Sequence, residues 1–362
     1  METIFENPTV KSALYVLLAV GIFSALIMIH EFGHYITARL CHVTVREFAL
    51  GMGPQILSFV SKKSGIRYSI RLFLIGGYVS MDGEDSGSSN PNAFCNKNIW
   101  QRILIIVAGA GMNILLGFFA MFILTTSTVM ATEGALLPTN VIAEFNENAT
   151  SNQMGEYGLM EGDRVIAVNG VPVFTGYDLI YEITNSAYKP VDLIVVRDDY
   201  FYKLEDVKFP TSEESGVVFG SYDFKVYGKA PNIGNLCLYS VNRAFSTLKM
   251  IYDSIFDMLR GRYGADAVSG PVGTTQVIGQ AAQAGGATLL YLIAVITINL
   301  GVFNLLPVPA LDGGRLMFLI VELFRGKPIN KNLEGYVNFI GILVLFLLMA
   351  LISIKDIIGL FT

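Results

Sequence analysis

The sequence predicts an α-helical polytopic membrane protein with four transmembrane helices, a membrane-associated β-hairpin loop and one inserted α+β domain. Hydrophobic residues make up 52% of its 362 residues and charged residues only 15%, whereas a soluble domain carries about 25% charged residues. The apolar residues are concentrated in four long runs, and a polar stretch separates the second run from the third. With a net charge of -5 and no basic patch, the chain is not expected to bind nucleic acid.

Each of the four apolar runs is long enough, or nearly so, to cross the ~30 Å hydrocarbon core of a bilayer as a helix. The runs cover residues 13–29, 103–130, 287–306 and 337–354. No positively charged segment precedes the first run and no small-residue cleavage site follows it. We therefore expect a retained helix and not a signal peptide.

The distribution of charge predicts the orientation in the membrane. Eight Lys and Arg residues lie between the first two runs and four lie between the last two, which places both of these loops in the cytoplasm by the positive-inside rule. The segment 133–230 holds 16 acidic and 7 basic residues, and we expect it outside the cytoplasm together with both termini. Four crossings satisfy this arrangement.

The polar stretch predicts a compact α+β domain at residues 135–230, with short β-type runs and one helical stretch at 177–184. The run GLMEGDRVIAVNG at residues 158–170, followed by VPV, resembles a PDZ domain. In that family such a run forms a turn, a buried strand and a tight Asn-Gly turn. The resemblance implies capture of an extended peptide as an added strand. The alternative is a structural β-domain that binds nothing.

Residues 231–285 are expected to form an amphipathic helix and a Gly/Ala-rich linker. Apolar residues recur at helical spacing through residues 235–260, which predicts a helix that lies on the membrane surface or packs against the inserted domain. The linker contains a turn at SGPVG, residues 269–273. The other two parts of the chain are residues 1–134, with the first two spans and the basic loop, and residues 286–362, with the last two spans.

The strongest chemical signal is the run HEFGH at residues 30–34, directly after the first apolar run. His30 and His34 are four residues apart and therefore share one face of a helix. Two imidazoles in this arrangement bind one zinc ion, and Glu31 between them serves as a general base. The alternative is that these residues merely cap a helix end. It is disfavoured because ionisable groups at membrane depth are costly and are usually functional.

A catalytic zinc site needs a third protein ligand, and Asp312 is the candidate. The third apolar run ends in NLLPVPALDGG, residues 304–314, in which two prolines interrupt the helix. Asp312 then emerges beside two glycines, which allow other groups to approach closely. The alternative is an ordinary loop in which Asp312 caps the next helix.

The remaining histidine and the cysteines are given structural interpretations. His42 lies beyond the expected end of the helix and is interpreted as an interfacial histidine. Cys41, Cys95 and Cys237 are widely spaced and odd in number, so neither a disulfide framework nor a cysteine zinc site is indicated. Cys41 lies near the histidines in sequence, and for it a role at the metal stays open.

These motifs, in this order, resemble the site-2 protease family of zinc intramembrane metalloproteases, and most of all its bacterial regulator-of-sigma-E protease branch. The resemblance covers nearly the whole chain and includes HEFGH, a Gly-rich loop, the PDZ-like insert, SGPVG and NLLPVPALDGG. It implies zinc bound by His30, His34 and Asp312, with Glu31 as the base and Asn304 holding substrate near the metal. The chain looks like a short form with one PDZ-like domain, where better-known members have two.

The resemblance also implies a location and a class of substrate. Members of the branch are multi-pass proteins of the bacterial inner membrane, surrounded by lipid, with the active site near the cytoplasmic side. They cut single-pass membrane proteins, such as trimmed anti-sigma factors and remnant signal peptides, in regulated intramembrane proteolysis. The PDZ domain is expected to act as a filter against untrimmed proteins.

The loop between the first two spans predicts β-hairpins, because β-type residues surround glycines at 45–54 and 67–79. In the family this region forms a β-structure that dips into the membrane beside the active site. A helical substrate hides its peptide bonds in its own hydrogen bonds, so it must be drawn out as a strand, which an exposed strand edge can hold. The candidate substrate-binding residues here are Gly76, Gly77 and Tyr78. A solvated loop with basic membrane anchors is the alternative.

Two other classes of protein were weighed against a protease. A transporter explains the interrupted third span and Asn113 inside the second, but it does not explain a His-Glu-x-x-His run. A catalytically inactive scaffold explains the PDZ-like domain, but it has no need of Glu31 between two histidines.

Overall fold

The computed structural model describes residues 8–84, 87–132, 134–153, 157–214, 217–262 and 268–359. The chain divides into two compact units, Met1–Ala120 with Ala265–Thr362 and Met121–Gly264. The predicted location of the two termini concerns residues 1–7 and 360–362, which lie outside the described residues.

The chain contains both helices and strands. The helices are α1 (Pro8–Leu40), α2 (Ile99–Ala131), α3 (Gly176–Ser186), α4 (Ile233–Leu259), α5 (Pro271–Ala284), α6 (Gly286–Leu305), α7 (Asp312–Arg325) and α8 (Lys331–Ile358). The strands are β1 (Val45–Val60), β2 (Arg67–Met81), β3 (Leu137–Phe145), β4 (Arg164–Val168), β5 (Val171–Pro172), β6 (Val191–Arg197), β7 (Tyr200–Val207), β8 (Thr211–Glu214), β9 (Val217–Gly220) and β10 (Phe224–Lys229).

Among the described residues, four helices are long and apolar enough to cross a membrane, and they coincide with the four predicted apolar runs. They cover Val10–Leu40, Ile99–Ala131, Gly286–Leu305 and Asn332–Ile358. The helix α1 is longer than the predicted run because it continues through the HEFGH motif as far as Leu40. The motif therefore lies within the helix and not at its end.

Small residues bring the helices of the first unit close together. A Cβ atom on Gly33 of α1 would lie 2.3 Å from the carbonyl oxygen of Ala108 on α2, and a Cβ on Gly301 of α6 would lie 2.9 Å from the carbonyl oxygen of Ala110. Such close contacts between small residues are a common way for membrane helices to associate. Here they place α1 and α6 against the same segment of α2.

The predicted β-structure after α1 is an antiparallel hairpin of β1 and β2 that is folded on itself, so that residues 47–50 of β1 pair with residues 67–70 as well as with residues 77–80 of β2. Several irregularities interrupt its register, and Gly51, Gly53 and Gly76 have positive φ angles of 85°, 84° and 88°, which glycine adopts without steric cost. Beyond these glycines the hairpin exposes large apolar side chains such as Leu57 and Phe59. Its other end packs beside α1 and α2 in a buried apolar cluster that includes Val79, Met81 and Ile105.

Part of the stretch expected to be a Gly/Ala-rich linker is the helix α5. It begins in the SGPVG motif, with Pro271 in its first turn, where the missing N–H of proline costs nothing. The carboxylate of Asp356 on α8 accepts hydrogen bonds from the backbone N–H groups of Gly270 and Gly273, both at 2.9 Å. An anion at a helix N-terminus satisfies free N–H groups and the helix dipole, so this contact explains a helix that composition alone does not suggest.

The second unit contains an antiparallel sheet in the order β10-β3-β4-β6-β7, with β5 paired to β4, and a separate hairpin of β8 and β9. Residues 158–170 form the turn, buried strand and tight turn expected of them. Asn169 and Gly170 have φ angles of 48° and 77°, the positive values that a two-residue type I′ hairpin requires. The helix α3 starts with a capping box between Thr175 and Asp178 and packs its apolar face into the core of this unit.

Candidate metal centre and catalytic cavity

Three side chains from two distant parts of the chain converge on one point. His30 and His34 lie one turn apart on α1 and are only 7% and 8% exposed. Asp312 is the first residue of α7, directly after the segment in which the prolines end α6. Its Oδ2 lies 3.0 Å from His30 Nε2 and 3.2 Å from His34 Nε2, and the two Nε2 atoms are 3.2 Å apart.

The hydrogen bonds of His34 determine which of its nitrogens is free. Its Nδ1 lies 2.8 Å from the carbonyl oxygen of Ile105, and because a carbonyl can only accept, Nδ1 must carry the proton. The Nε2 atom of His34 therefore presents a lone pair to the centre. Beyond the two imidazoles, the buried Oδ2 of Asp312 has no hydrogen-bond partner among the described residues.

This donor set fits a zinc ion. Ligands at 2.0–2.2 Å in a tetrahedral site lie about 3.3 Å from one another, and the three atoms here are within a few tenths of an ångström of that spacing. The Nε2 lone pair of His34 and the carboxylate oxygen of Asp312 face each other at 3.2 Å and repel each other unless a proton or a cation lies between them. Two His and one carboxylate also form a ligand set typical of catalytic zinc.

Asn113 of α2 is fully buried and orients the other imidazole. The nitrogen of its side-chain amide lies 3.4 Å from His30 Nδ1, and its Oδ1 has no hydrogen-bond partner among the described residues. If His30 offers Nε2 to a metal, its Nδ1 carries a proton and requires an acceptor. A half-turn of the Asn113 amide, which exchanges its nitrogen and its oxygen, would supply that acceptor and give Oδ1 a partner. Second-sphere partners of this kind fix the tautomer of metal-bound histidines.

The absence of a side chain at residue 109 makes room for both imidazoles. A Cβ atom on Gly109 would lie 2.3 Å from His34 Nε2 and 2.9 Å from His30 Cε1, distances that real Cβ atoms do not adopt. The two histidines therefore pack against the bare backbone of α2.

Glu31 lies at the edge of β2, beside a cavity of about 210 Å³. Its carboxylate accepts a hydrogen bond from the backbone N–H of Val79. A Cβ atom on Gly77 would lie 3.4 Å from Glu31 Cγ, so the strand passes directly over the acid. Tyr78, Glu84 and Arg315 also line this cavity, together with His34 and Asp312.

A network of polar groups in the hairpin holds Tyr78 in place. The guanidinium of Arg71 donates to Glu47, at 2.9 Å, and to the Tyr78 hydroxyl. Ser69 donates to the same Glu47 carboxylate at 2.6 Å. Burial alone would raise the pKa of Glu47, but hydrogen bonds from Ser69, Arg71 and Tyr78 outweigh burial and hold that pKa below its ordinary value. Burial and the Glu47 carboxylate raise the pKa of Tyr78, so its hydroxyl keeps its proton at neutral pH.

The structure brings most of the residues selected from the sequence into one place. The cavity is lined by Glu31, His34, Tyr78 and Asp312. His30 lies with His34 and Asp312 in the ligand cluster, and Gly77 lies beside Glu31. Gly76 lies one residue away in β2, and its Cβ position faces Met52 and not the cavity. Asn304 lies in the last turn of α6 and is outside the described lining of the cavity.

His42 and Cys41 lie outside the cluster of candidate metal ligands. His42 has a φ of 55° just after α1, and the metal-type cluster of the described residues contains His30, His34 and Asp312. Cys41 is buried in the apolar cluster between the hairpin and the helices. Its surroundings are those of a structural thiol.

Three residues of this site were not selected from the sequence. Asn113 was noted only as a polar residue within a span, and that anomaly was the available signal for a function. Arg315 stands three residues after Asp312, so the two share a face of a helix, and this spacing was visible. Glu84 had no signal of its own, because its place depends on how the chain turns after β2.

Comparison with known proteins agrees with this geometry. The sequence model described as peptidase family M50 matches residues 18–348. The chain is 35% identical over 343 residues to a protein of Clostridium acetobutylicum that is named among zinc metalloproteases, with 95% of this chain and 97% of that protein covered. It is 30% identical to the zinc metalloprotease RasP of Bacillus licheniformis, with 94% and 98% covered. It is 29% identical to the regulator of sigma-W protease RasP of Bacillus subtilis, with 94% and 97% covered.

Apolar spans, a buried set of zinc-type ligands and these relatives together define an intramembrane zinc metalloprotease of the site-2 type. Within that class the chain belongs to peptidase family M50. Its cofactor is zinc. The predicted enzyme class and cofactor are confirmed, and neither the transporter nor the inactive scaffold is needed to explain the chain.

Proposed function

We propose that His30, His34 and Asp312 hold the zinc ion and that Glu31 is the general base for hydrolysis of a peptide bond. The observation that carries this proposal is the convergence of two imidazole nitrogens and a carboxylate oxygen, 3.0–3.2 Å apart, in a buried position. Glu31 follows His30 directly in the chain and opens onto the same cavity.

The chemistry divides between the metal and the protein. Zinc, when bound, supplies a Lewis acid that polarises the scissile carbonyl and makes water acidic enough to lose a proton near neutral pH. Glu31 takes that proton, while the water oxygen bonds to the carbonyl carbon. Glu31 then delivers the proton to the leaving amine nitrogen as the C–N bond breaks.

The edge of β2 is the proposed binding site for the substrate chain. Tyr78 and Val79 line the cavity, Gly77 lies beside Glu31, and the Val79 N–H donates to Glu31. A substrate segment unwound from its helix would add to this edge as a strand and satisfy its own backbone groups there. Gly76 supports this shape through its positive φ. Asn304 is proposed to hold substrate on the basis of the family resemblance alone.

The substrates are proposed to be single-pass membrane proteins, such as trimmed anti-sigma factors or remnant signal peptides. One relative is named as the regulator of sigma-W protease, which supports a regulatory substrate. The proposed location is the bacterial inner membrane, with the catalytic site near the cytoplasmic side and the inserted domain outside. The basic loops and the acidic insert support that orientation. The exposed apolar tip of the hairpin suits contact with lipid.

The inserted domain, residues 135–230, is proposed to be a PDZ domain that selects substrates. The strand–turn–strand–helix order of β4, β5 and α3 and the Asn-Gly turn support this assignment. Because every proposed catalytic residue lies outside the domain, we expect its deletion to loosen selectivity and leave hydrolysis intact. Complete loss of peptidase activity in a folded deletion would contradict this role.

The ligand set is tested by zinc analysis of single substitutions. His34→Ala and Asp312→Ala are expected to lose stoichiometric zinc and all cleavage of a single-pass test substrate. His42→Asn is the matched control, since it removes the one histidine outside the cluster and suits a positive φ. Retention of one zinc ion per chain in Asp312→Ala would remove that residue from the ligand set.

A further inference from the structure

A second cavity adjoins the catalytic one. Its volume is about 330 Å³, and the two cavities have Glu84, Ile106 and Arg315 in common. These three side chains therefore form the wall between them. The hydrolytic chemistry uses neither Glu84 nor Arg315.

The wall includes an ion pair at the end of β2. The Glu84 carboxylate accepts from the guanidinium of Arg315 with one oxygen and from the backbone N–H of Met81, at 3.2 Å, with the other. Met81 lies two residues after Val79, and alternate amides of a strand point to the same side. The Val79 and Met81 N–H groups thus point to one edge of β2, where they donate hydrogen bonds to the carboxylates of Glu31 and Glu84.

A substrate strand on this edge would compete directly with Glu84. Its carbonyl groups need the N–H groups of the strand they pair with, and the Met81 N–H is next in line after Val79. If a substrate displaces the Glu84 carboxylate from the Met81 N–H, we expect the ion pair between Glu84 and Arg315 to weaken. The edge of β2 therefore runs from Glu31 to the side chains that separate the two cavities. A substrate strand on this edge would reach the second cavity there.

The lining of the second cavity combines an apolar surface with an excess of acid. Phe94, Phe318 and Leu319 provide the apolar part. Arg102 is paired with Glu322 by two hydrogen bonds, as Arg315 is with Glu84. Glu334 is a third acid on the lining, which thus carries three carboxylates and two guanidinium groups.

We propose that this second cavity is a substrate subsite that takes a long basic side chain, Lys or Arg, near the scissile bond. The apolar lining suits the methylene stem of such a side chain, and the acidic excess at Glu334 and the displaced Glu84 suits its charged end. The inference rests on the proposed function, because it assumes that Glu31 acts on a strand held at the edge of β2.

The test uses the full-length zinc-loaded protein and a single-pass test substrate with a mapped cleavage site. One Lys is placed at each flanking position in turn, and kcat/KM is compared with that for Gln at the same position. We expect one position at which Lys raises kcat/KM by about fivefold, the effect that a solvent-accessible ion pair can supply. In Glu334→Gln the preference should fall to near unity, and in Glu334→Lys it should reverse in favour of Glu.

The controls separate the subsite from the proposed function. Glu147→Gln removes an exposed acid of the other unit and should keep the Lys preference, and zinc content should be unchanged in all variants. Three results would contradict the subsite but not the protease assignment. They are equal cleavage of all substrates, a Lys preference that survives both Glu334 variants, and a preference for Glu that depends on Arg315. A zinc-loaded wild type that cuts none of the substrates would overturn the proposed function, and the subsite with it.

Discussion

The side-chain amide of Asn113 lies 3.4 Å from Nδ1 of His30, deep inside the second transmembrane helix. Asn113→Leu keeps the size of the side chain but removes the amide beside the His30 ring, whose oxygen would accept the Nδ1 proton of a metal-bound imidazole. Loss of such a second-sphere partner lowers metal affinity by about 10- to 100-fold. We therefore expect weaker zinc binding in Asn113→Leu, measured by competition with a chelator of known affinity.

A second buried polar residue of the same helix provides the control for Asn113. Thr125 is buried and its hydroxyl has no partner among the described residues. Thr125→Val should leave zinc affinity within about twofold of wild type, since a substitution away from the site acts on stability and not on the metal. Equal zinc affinity of Asn113→Leu and wild type would show that the amide does not position His30.

Two glycines on one helix give a paired test of the space around the imidazoles. In Gly109→Ala the new methyl group would lie 2.3 Å from His34 Nε2, so the histidines must move. We expect a loss of zinc affinity of about 10- to 100-fold, as for other errors in ligand orientation. Zinc content after dialysis and the thermal unfolding midpoint are the measurements.

Gly111→Ala is the matched control for that substitution. Nothing lies within 4 Å of its Cβ position, and Ala is favoured over Gly in a helix by up to about 1 kcal/mol. This variant should bind zinc normally and unfold at the same or a slightly higher temperature. Normal zinc binding in Gly109→Ala would mean that α2 does not pack against the histidines as described.

Arg71 is expected to matter for substrate but not for zinc. Arg71→Gln breaks its ion pair with Glu47 and releases Tyr78, which lines the cavity. We expect kcat/KM to fall about tenfold, in line with the 1–3 kcal/mol that a broken charge-assisted hydrogen bond costs, while zinc content stays at one per chain. Arg67→Gln, on the exposed start of the same strand, should cut at the wild-type rate. Equal cleavage rates for Arg71→Gln and Arg67→Gln would show that the position of Tyr78 does not affect catalysis.

Asp356 should stabilise the protein from a position away from the metal. Asp356→Ala leaves the N–H groups of Gly270 and Gly273 without their acceptor, at a cost of about 1–3 kcal/mol in the free energy of unfolding. Asp356→Asn retains one acceptor oxygen and should lose less. Ser353→Ala, which removes only a hydroxyl bonded within its own helix, is the control in thermal unfolding. Equal midpoints for Asp356→Ala and Ser353→Ala would contradict the contact.

Patterns that depend on neighbours in sequence were predictable. The four spans follow from apolar runs, and the juxtaposition of His30 and His34 follows from the period of a helix. The Asn-Gly turn at residues 169 and 170 follows from the two residues that tolerate positive φ. In each case a few adjacent residues determine the local structure.

Features that depend on distant contacts were not predictable in the same way. The helix α5 lies in a stretch of small residues, and its start is capped by Asp356, which is far away in sequence. Glu84 reaches the cavity only because the hairpin folds back over α1 and places Met81 beside α7. Asp312 was a candidate from its glycines and from the resemblance, but only the fold shows its carboxylate between the two imidazoles.

The central claim is tested most directly by comparing wild type with Glu31→Gln, both purified in detergent, for zinc content and for cleavage of a single-pass test substrate. The account predicts one zinc ion per chain in both proteins and cleavage by wild type alone, because Glu31 moves protons and does not ligate the metal. Cleavage by Glu31→Gln at a rate near that of wild type, or loss of zinc from Glu31→Gln, would contradict it.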